Sequence, residues 1–149
     1  MRAIIQKVTK ASVVVGDDLI SEIGNGYMIL LAVKETDTEE DLAYIKRKIA
    51  NLRIFEDEEG KMNLSLKDTG GEILLVSQFT LYGDARKGNR PSFTESAGLE
   101  KANDYYEKLR GELTKEGFLV KTGQFQAHME VSLVNDGPVT IILDSERIF

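Results

Sequence analysis

The chain has 149 residues, of which 42% are hydrophobic and 30% charged, with a net charge of −6 and no cysteine. That length and balance describe a single domain (1–149) with a real hydrophobic core. The missing thiol excludes disulfides, cysteine metal sites and thiol catalysis. The acidic total excludes a broad basic face for gripping nucleic acid, so contact with RNA is confined to a small, locally basic patch.

The N-terminus runs straight into Arg2-Ala3-Ile4-Ile5 without a signal-type apolar region, and no apolar run nears the roughly 20 residues that span a membrane, so a cytoplasmic location is expected. Ala3–Val8 and the β-branched Ala11–Val15 read as strands, and Gly16-Asp17-Asp18 turns the chain into a third, Leu19–Ile23. After Gly24-Asn25-Gly26, the nearly continuous apolar run Tyr27–Val33 reads as a central strand covered on both faces. Thr38 opens a helix with Asp41 as its capping-box partner, and Leu42, Ile45, Ile49 and Leu52 form its apolar stripe. Short strand signals follow at Ile54–Glu56 and Glu72–Gln78. A second helix follows Pro91, with a stripe of Leu99, Ala102, Tyr106, Leu109 and Leu113 and a C-cap at Gly117. Phe118–Lys121 is a further strand. Glu130–Val134 and Val139–Leu143 form a last pair on either side of Gly137-Pro138. Strands outnumber helices, which gives an α+β fold: a mixed, mainly antiparallel sheet curled toward a barrel with two principal helices packed on it.

Ser77, Gln78 and Thr80 lie where an apolar strand ends, a place that holds polar groups rigidly. Gln78 and the amides of Phe79 and Thr80 are candidates for stabilising an oxyanion. Against this stands the plain reading, in which Ser77 and Thr80 only satisfy strand-end backbone groups. The one histidine, His128, alternates with Glu130 and Ser132 on a solvent-facing strand face and is expected to be inert, which removes a Ser-His-Asp triad. With one histidine and no cysteine, no metal site is expected, and no nucleotide-binding fingerprint implies a cofactor. Arg86-Lys87-Gly88-Asn89-Arg90 is the densest basic stretch, and Gly137-Pro138 is either a strand connector or a rigid device that presents its own carbonyls.

Two segments, Ser77-Gln78-Phe79-Thr80-Leu81-Tyr82-Gly83-Asp84 and Asn135-Asp136-Gly137-Pro138-Val139-Thr140, resemble the paired motifs of D-aminoacyl-tRNA deacylases. Asn51–Asp57, Gly60–Asn63, Arg90–Phe93 and Gly123–Met129 are similar to the same family, so the likeness runs the length of the chain. The resemblance implies a cytosolic homodimer that hydrolyses the ester between a D-amino acid and the 3′-terminal adenosine of tRNA. It implies a cis Gly137-Pro138 that reaches into the partner's pocket; a rigid wall of backbone carbonyls there is expected to reject L-substrates and to accept achiral glycine. Ser77, Gln78, Phe79 and Thr80 would line that pocket, with Phe125 packing on the adenine and Arg86, Lys87 and Arg90 contacting phosphates. No side-chain base is evident to activate Thr80, which favours water attack assisted by the RNA 2′-OH over a covalent route. Two other readings stay open at this stage: a non-catalytic dimeric module that senses aminoacyl-adenosine or a D-amino acid, and an ordinary Ser/Thr esterase.

Overall fold

The chain enters its sheet at once: in the computed structural model, which describes residues 1–149, Arg2–Val15 is a single strand, β1. Next come β2 (Asp18–Ile23), β3 (Gly26–Ala32), helix α1 (Glu39–Asn51), the short β4 (Phe55–Glu56) and β5 (Met62–Leu64), one helical turn α2 (Leu66–Thr69), and β6 (Glu72–Ser77). A 3-10 turn (Phe79–Tyr82), α3 (Leu99–Lys115), β7 (Val120–Thr122) and β8 (Glu130–Asp144) complete the order. Six strands form one sheet in the order β2-β1-β3-β6-β7, with β8 also paired to β1, while β4 and β5 make a separate hairpin. β1 runs antiparallel to β2, β3 and β8, whereas β3-β6 and β6-β7 are parallel. This is the mixed α+β architecture that the strand and helix pattern predicts. No helix is long and apolar enough to cross a membrane.

The two parallel pairs explain where the helices go. Each needs a crossover, and crossovers of one hand that step in one direction across a sheet lay their helices on the same face. α1 and α3 therefore lie side by side, bridged by Lys108–Glu39 at 2.6 Å and Lys46–Glu116 at 3.1 Å. Asp41 accepts from the Thr38 amide at 2.7 Å, as the capping box requires. Leu42, Ile45 and Ile49 of α1 and Tyr106, Leu109 and Leu113 of α3 are buried against the sheet. The helix expected after Pro91 is α3, with Gly98 as its N-cap, and the residues between belong to a loop.

β1 and β8 are each longer than the sequence pattern indicates, because each serves two layers. Ala3 and Ile5 of β1, with Val139 and Leu143 of β8, join the core under the helices. Beyond irregularities in the β1-β8 register around Val8, the same strands turn Ala11, Val13, Val131 and Leu133 toward a second core on the other face of β3 and β6. That covers both faces of β3, as its apolar run predicts. It also corrects the division into separate strands: Ala3–Val8 and Ala11–Val15 are one strand, and so are Glu130–Val134 and Val139–Leu143. Gly137-Pro138 is not a connector between strands. Gln6 pairs with Thr140 and Val8 with Asn135, so Asp136–Val139 leave the ladder opposite the single residue Lys7.

The first residue closes the fold from below. The buried Met1 ammonium meets Asp37 Oδ1 at 2.5 Å and the Ser145 hydroxyl at 2.6 Å, while Asp37 also accepts from the Lys34 amide. Removing one partner of a buried ion pair strands the other charge. Asp37→Ala is expected to lower unfolding stability by about 3–5 kcal/mol, read as a shift in the urea midpoint at unchanged slope; a change under about 1 kcal/mol would remove the pair's structural role.

Candidate active site

β6 stops where its last backbone bond to β3 is made: the Gln78 amide donates to the Leu31 carbonyl at 2.7 Å. The chain then coils into the 3-10 turn, tied by Leu81 N–H to the Gln78 carbonyl and Gly83 N–H to the Thr80 carbonyl. The amides of Phe79 and Thr80 open that turn, where such a helix has no internal acceptor for them, and no other group of the chain takes them up. Two adjacent N–H donors are thus left free at a rigid strand end. Beside them the Gln78 carboxamide donates to the Thr80 hydroxyl oxygen. Ser96 donates to the Phe79 carbonyl at 3.1 Å, and the Phe79 and Phe93 rings meet edge to face at 5.2 Å, so the turn is held from outside as well.

A cavity of about 550 Å³ opens at this point, at the carboxyl ends of the parallel strands β6 and β7 where open α/β sheets place ligands. Ser77, Gln78 and Phe79 form one wall, the start of α3 from Ala97 to Ala102 a second, and the loop Phe125–Met129 with Val131 a third. Most of the lining is apolar, and His128 is its only ionisable side chain. The third wall is anchored from below. Tyr106 donates to the Leu75 carbonyl at 2.7 Å, its hydroxyl pKa pushed up by burial, and its ring lies 6.0 Å from that of Phe125. Gly123 donates to the same carbonyl at 3.2 Å.

The other expected site residues lie elsewhere in the chain. Thr80 borders the cavity through its bond with Gln78 but does not line it. Arg86, Lys87 and Arg90 are exposed on the loop beyond the 3-10 turn. Arg86 is committed to both carboxylate oxygens of Asp84, at 2.8 and 2.7 Å, and this pairing holds Asp84 well below the usual carboxylate range. Gly137 and Pro138, joined by a cis peptide, are exposed and absent from the cavity wall. Between Val131 and Gly137 the strand covers about 20 Å at its usual rise per residue. The excursion that carries them is pinned at its base: Asn135 Nδ2 donates to the Lys7 and Val139 carbonyls, each at 2.9 Å, and Lys7 pairs with Asp136 at 3.5 Å.

Comparison with known proteins assigns the chain to a family. Residues 4–144 match the family model described as D-Tyr-tRNA(Tyr) deacylase. The chain belongs to the D-aminoacyl-tRNA deacylase family, whose members hydrolyse ester bonds. It is 53% identical over 149 residues to a D-aminoacyl-tRNA deacylase of Thermotoga petrophila, covering all of both chains. It is 57% identical over 148 residues to that of Dictyoglomus turgidum, covering 99% of this chain and 95% of the relative. Among solved structures it resembles a c-Myc DNA unwinding element binding protein, with a TM-score of 0.91, 45% identity and coverage of 97% and 98%. A probable eukaryotic D-amino acid tRNA deacylase at 19% identity, with a TM-score of 0.80 over 95% and 97% of the chains, shares the fold.

The cavity includes residues that the sequence pattern assigns elsewhere. His128 is exposed, as expected, but it stands in the cavity wall and not on a remote strand face. Leu99 has the spacing of a core residue, yet it is 62% exposed and faces the cavity from the first turn of α3. The difference is measurable. Leu99→Ser is expected to leave stability within about 0.5 kcal/mol while raising KM several-fold, whereas Leu109→Ala in the core should cost about 2–5 kcal/mol. Equal stability losses in the two variants would return Leu99 to the core.

Proposed function

We propose that this deacylase releases D-amino acids from the 3′ end of tRNA, seating the aminoacyl-adenosine in the cavity at the end of β6, and that it acts in the cytoplasm. The observation that carries this reading is the pair of free Phe79 and Thr80 amides beside an apolar cavity. They are set to receive the negative charge that develops on an ester carbonyl. Phe125 lines the same wall and offers a flat apolar face to the adenine. Thr80 does not serve as nucleophile: its hydroxyl oxygen already accepts from Gln78, and no carboxylate or imidazole bonds to it. Water attacks instead, oriented by the neighbouring ribose 2′-OH, and Gln78 fixes the turn that holds the amides.

Discrimination against L-substrates comes from a second copy of the chain. In one chain Gly137 and Pro138 do not line the cavity, and β8 has a free edge, since it pairs only with β1. A homodimer in which each excursion closes the partner's pocket supplies a backbone wall that an L side chain meets and a D side chain or glycine avoids. Glycyl-tRNA is then a substrate too. The exposed Val134 and Ile142 on β8 favour burial in such an interface.

The decisive experiment is release of amino acid from D-Tyr-tRNA, L-Tyr-tRNA and Gly-tRNA. The first and last should turn over and the second resist; resistance of glycyl-tRNA would remove the steric wall, and binding without release would make the chain a sensor. Thr80→Ala should cost no more than about tenfold with no acyl-enzyme, within the range of one lost hydrogen bond. Abolished turnover would restore the covalent route. Asn135→Ala, which frees the base of the excursion, should relax discrimination against L-Tyr-tRNA while the protein stays folded by circular dichroism. Unchanged selectivity would separate the excursion from chiral choice.

A further inference from the structure

A second concave surface lies on the outer side of α1, and no residue of the deacylation pocket lines it. Tyr44, Arg47, Lys48 and Asn51 of α1, Arg53 just beyond the helix, and Arg147 near the C-terminus surround a hollow of about 790 Å³. Ten of the 19 lysines and arginines pair with a carboxylate within 4 Å, but none of the four around this hollow does, and no acid lines it. Three of them converge on one aromatic ring: Arg147, Arg47 and Lys48 place their charges 5.2, 5.6 and 5.7 Å from the Tyr44 centroid.

The macrodipole of α1 accounts for part of this, since cations favour a helix C-terminus. It does not bring in Arg147 from another part of the chain, nor does it offset the repulsion of three like charges around one ring in a protein with 25 acids to offer as partners. Arg53 commits only its Nε, to the Asn63 carbonyl at 2.9 Å, which leaves the guanidinium nitrogens beyond it free. What fits is a group bearing several negative charges at fixed spacing. Guanidinium forks take phosphate oxygens bidentately, and the Tyr44 face supports them.

We propose that this hollow binds phosphates of the RNA backbone, holding the tRNA body at a distance from its aminoacylated end. This rests on the deacylase reading, because a ligand that fills the pocket with its terminal adenosine reaches a separate hollow only through a long chain of phosphates. It also places the phosphate-binding cations on α1 and the C-terminal segment, away from the Arg86 loop, where the first arginine is already neutralised by Asp84.

The test is the double charge reversal Arg47→Glu/Arg147→Glu, both positions being exposed and outside the pocket. KM for full-length D-aminoacyl-tRNA should rise at least about tenfold, while KM for a D-aminoacylated CCA-ended oligonucleotide stays unchanged. The slope of log affinity for uncharged tRNA against log salt should flatten by about 0.7–0.9 for each phosphate the variant no longer neutralises. Equal behaviour of wild type and variant toward full-length tRNA, in KM and in salt slope, would overturn the proposal. So would tight binding of inorganic pyrophosphate at the hollow with no competition from tRNA, which would make it a site for small anions. The tRNA binding measurement needs no turnover, so it still decides the matter if the wild-type protein releases no amino acid, a result that would count against the deacylase reading alone.

Discussion

Strand β6 is hydrogen-bonded on both sides, to β3 and to β7, and covered on both faces by two separate cores. Ile73, Leu74, Leu75 and Val76 are each no more than 1% exposed. A strand so enclosed cannot shift register without moving every side chain to the wrong face. Its carboxyl end is therefore a fixed point. The Gln78 amide closes the ladder, and the next two amides are left free because the chain has no acceptor for them. The candidate pocket derives its geometry from that constraint more than from any side chain. An oxyanion site of the kind proposed, made of main-chain donors, survives most substitutions.

The same logic orders the pocket's other walls. Both parallel crossovers return to the sheet from one side, so α3 begins at the end where β6 stops, and its first turn borders the cavity. Tyr106, nearly a turn before Leu109, reaches back to the Leu75 carbonyl and carries Phe125 with it. Strand, helix and following loop thus meet at one carbonyl, which both the Tyr106 hydroxyl and the Gly123 amide use. Movement of any one wall disturbs the other two.

Much of this is legible in the residues themselves, and the exceptions share one cause. Ser77, Gln78 and Phe79 are readable because an apolar run ends abruptly in polar residues and a glycine. α1 is readable because its cap and its stripe agree. Leu99 is not, since a 3.6-residue repeat reports a shared face and is silent on whether that face meets core or cavity at its first turn. His128 fails for the matching reason in β: alternation assigns a side, but the residue precedes β8 and belongs to a loop that bends over the pocket. The length of β1 is hidden because Thr9 and Lys10, exposed where β1 passes between layers, look like a break, and that of β8 because Gly137-Pro138 does. Arg147 and Tyr44 are far apart in sequence, and no periodicity connects them.

A net charge of −6 and a polyanionic substrate pull against each other, and the distribution of charge resolves them. Acids dispersed over the surface neutralise most cations locally, as Glu112 and Glu116 do for Lys46, Asp84 for Arg86 and Glu146 for Lys34. RNA that approaches at random meets a surface with little net attraction, which keeps nonspecific binding weak. Attraction remains only where cations lack partners. As proposed, a hollow with four of them, three converging on one aromatic ring, then acts as an anchor whose strength depends on position. Because such phosphate binding carries no base identity, it orients any tRNA alike. On the proposed reading, choice is thereby left to the aminoacyl end and the pocket at the close of β6.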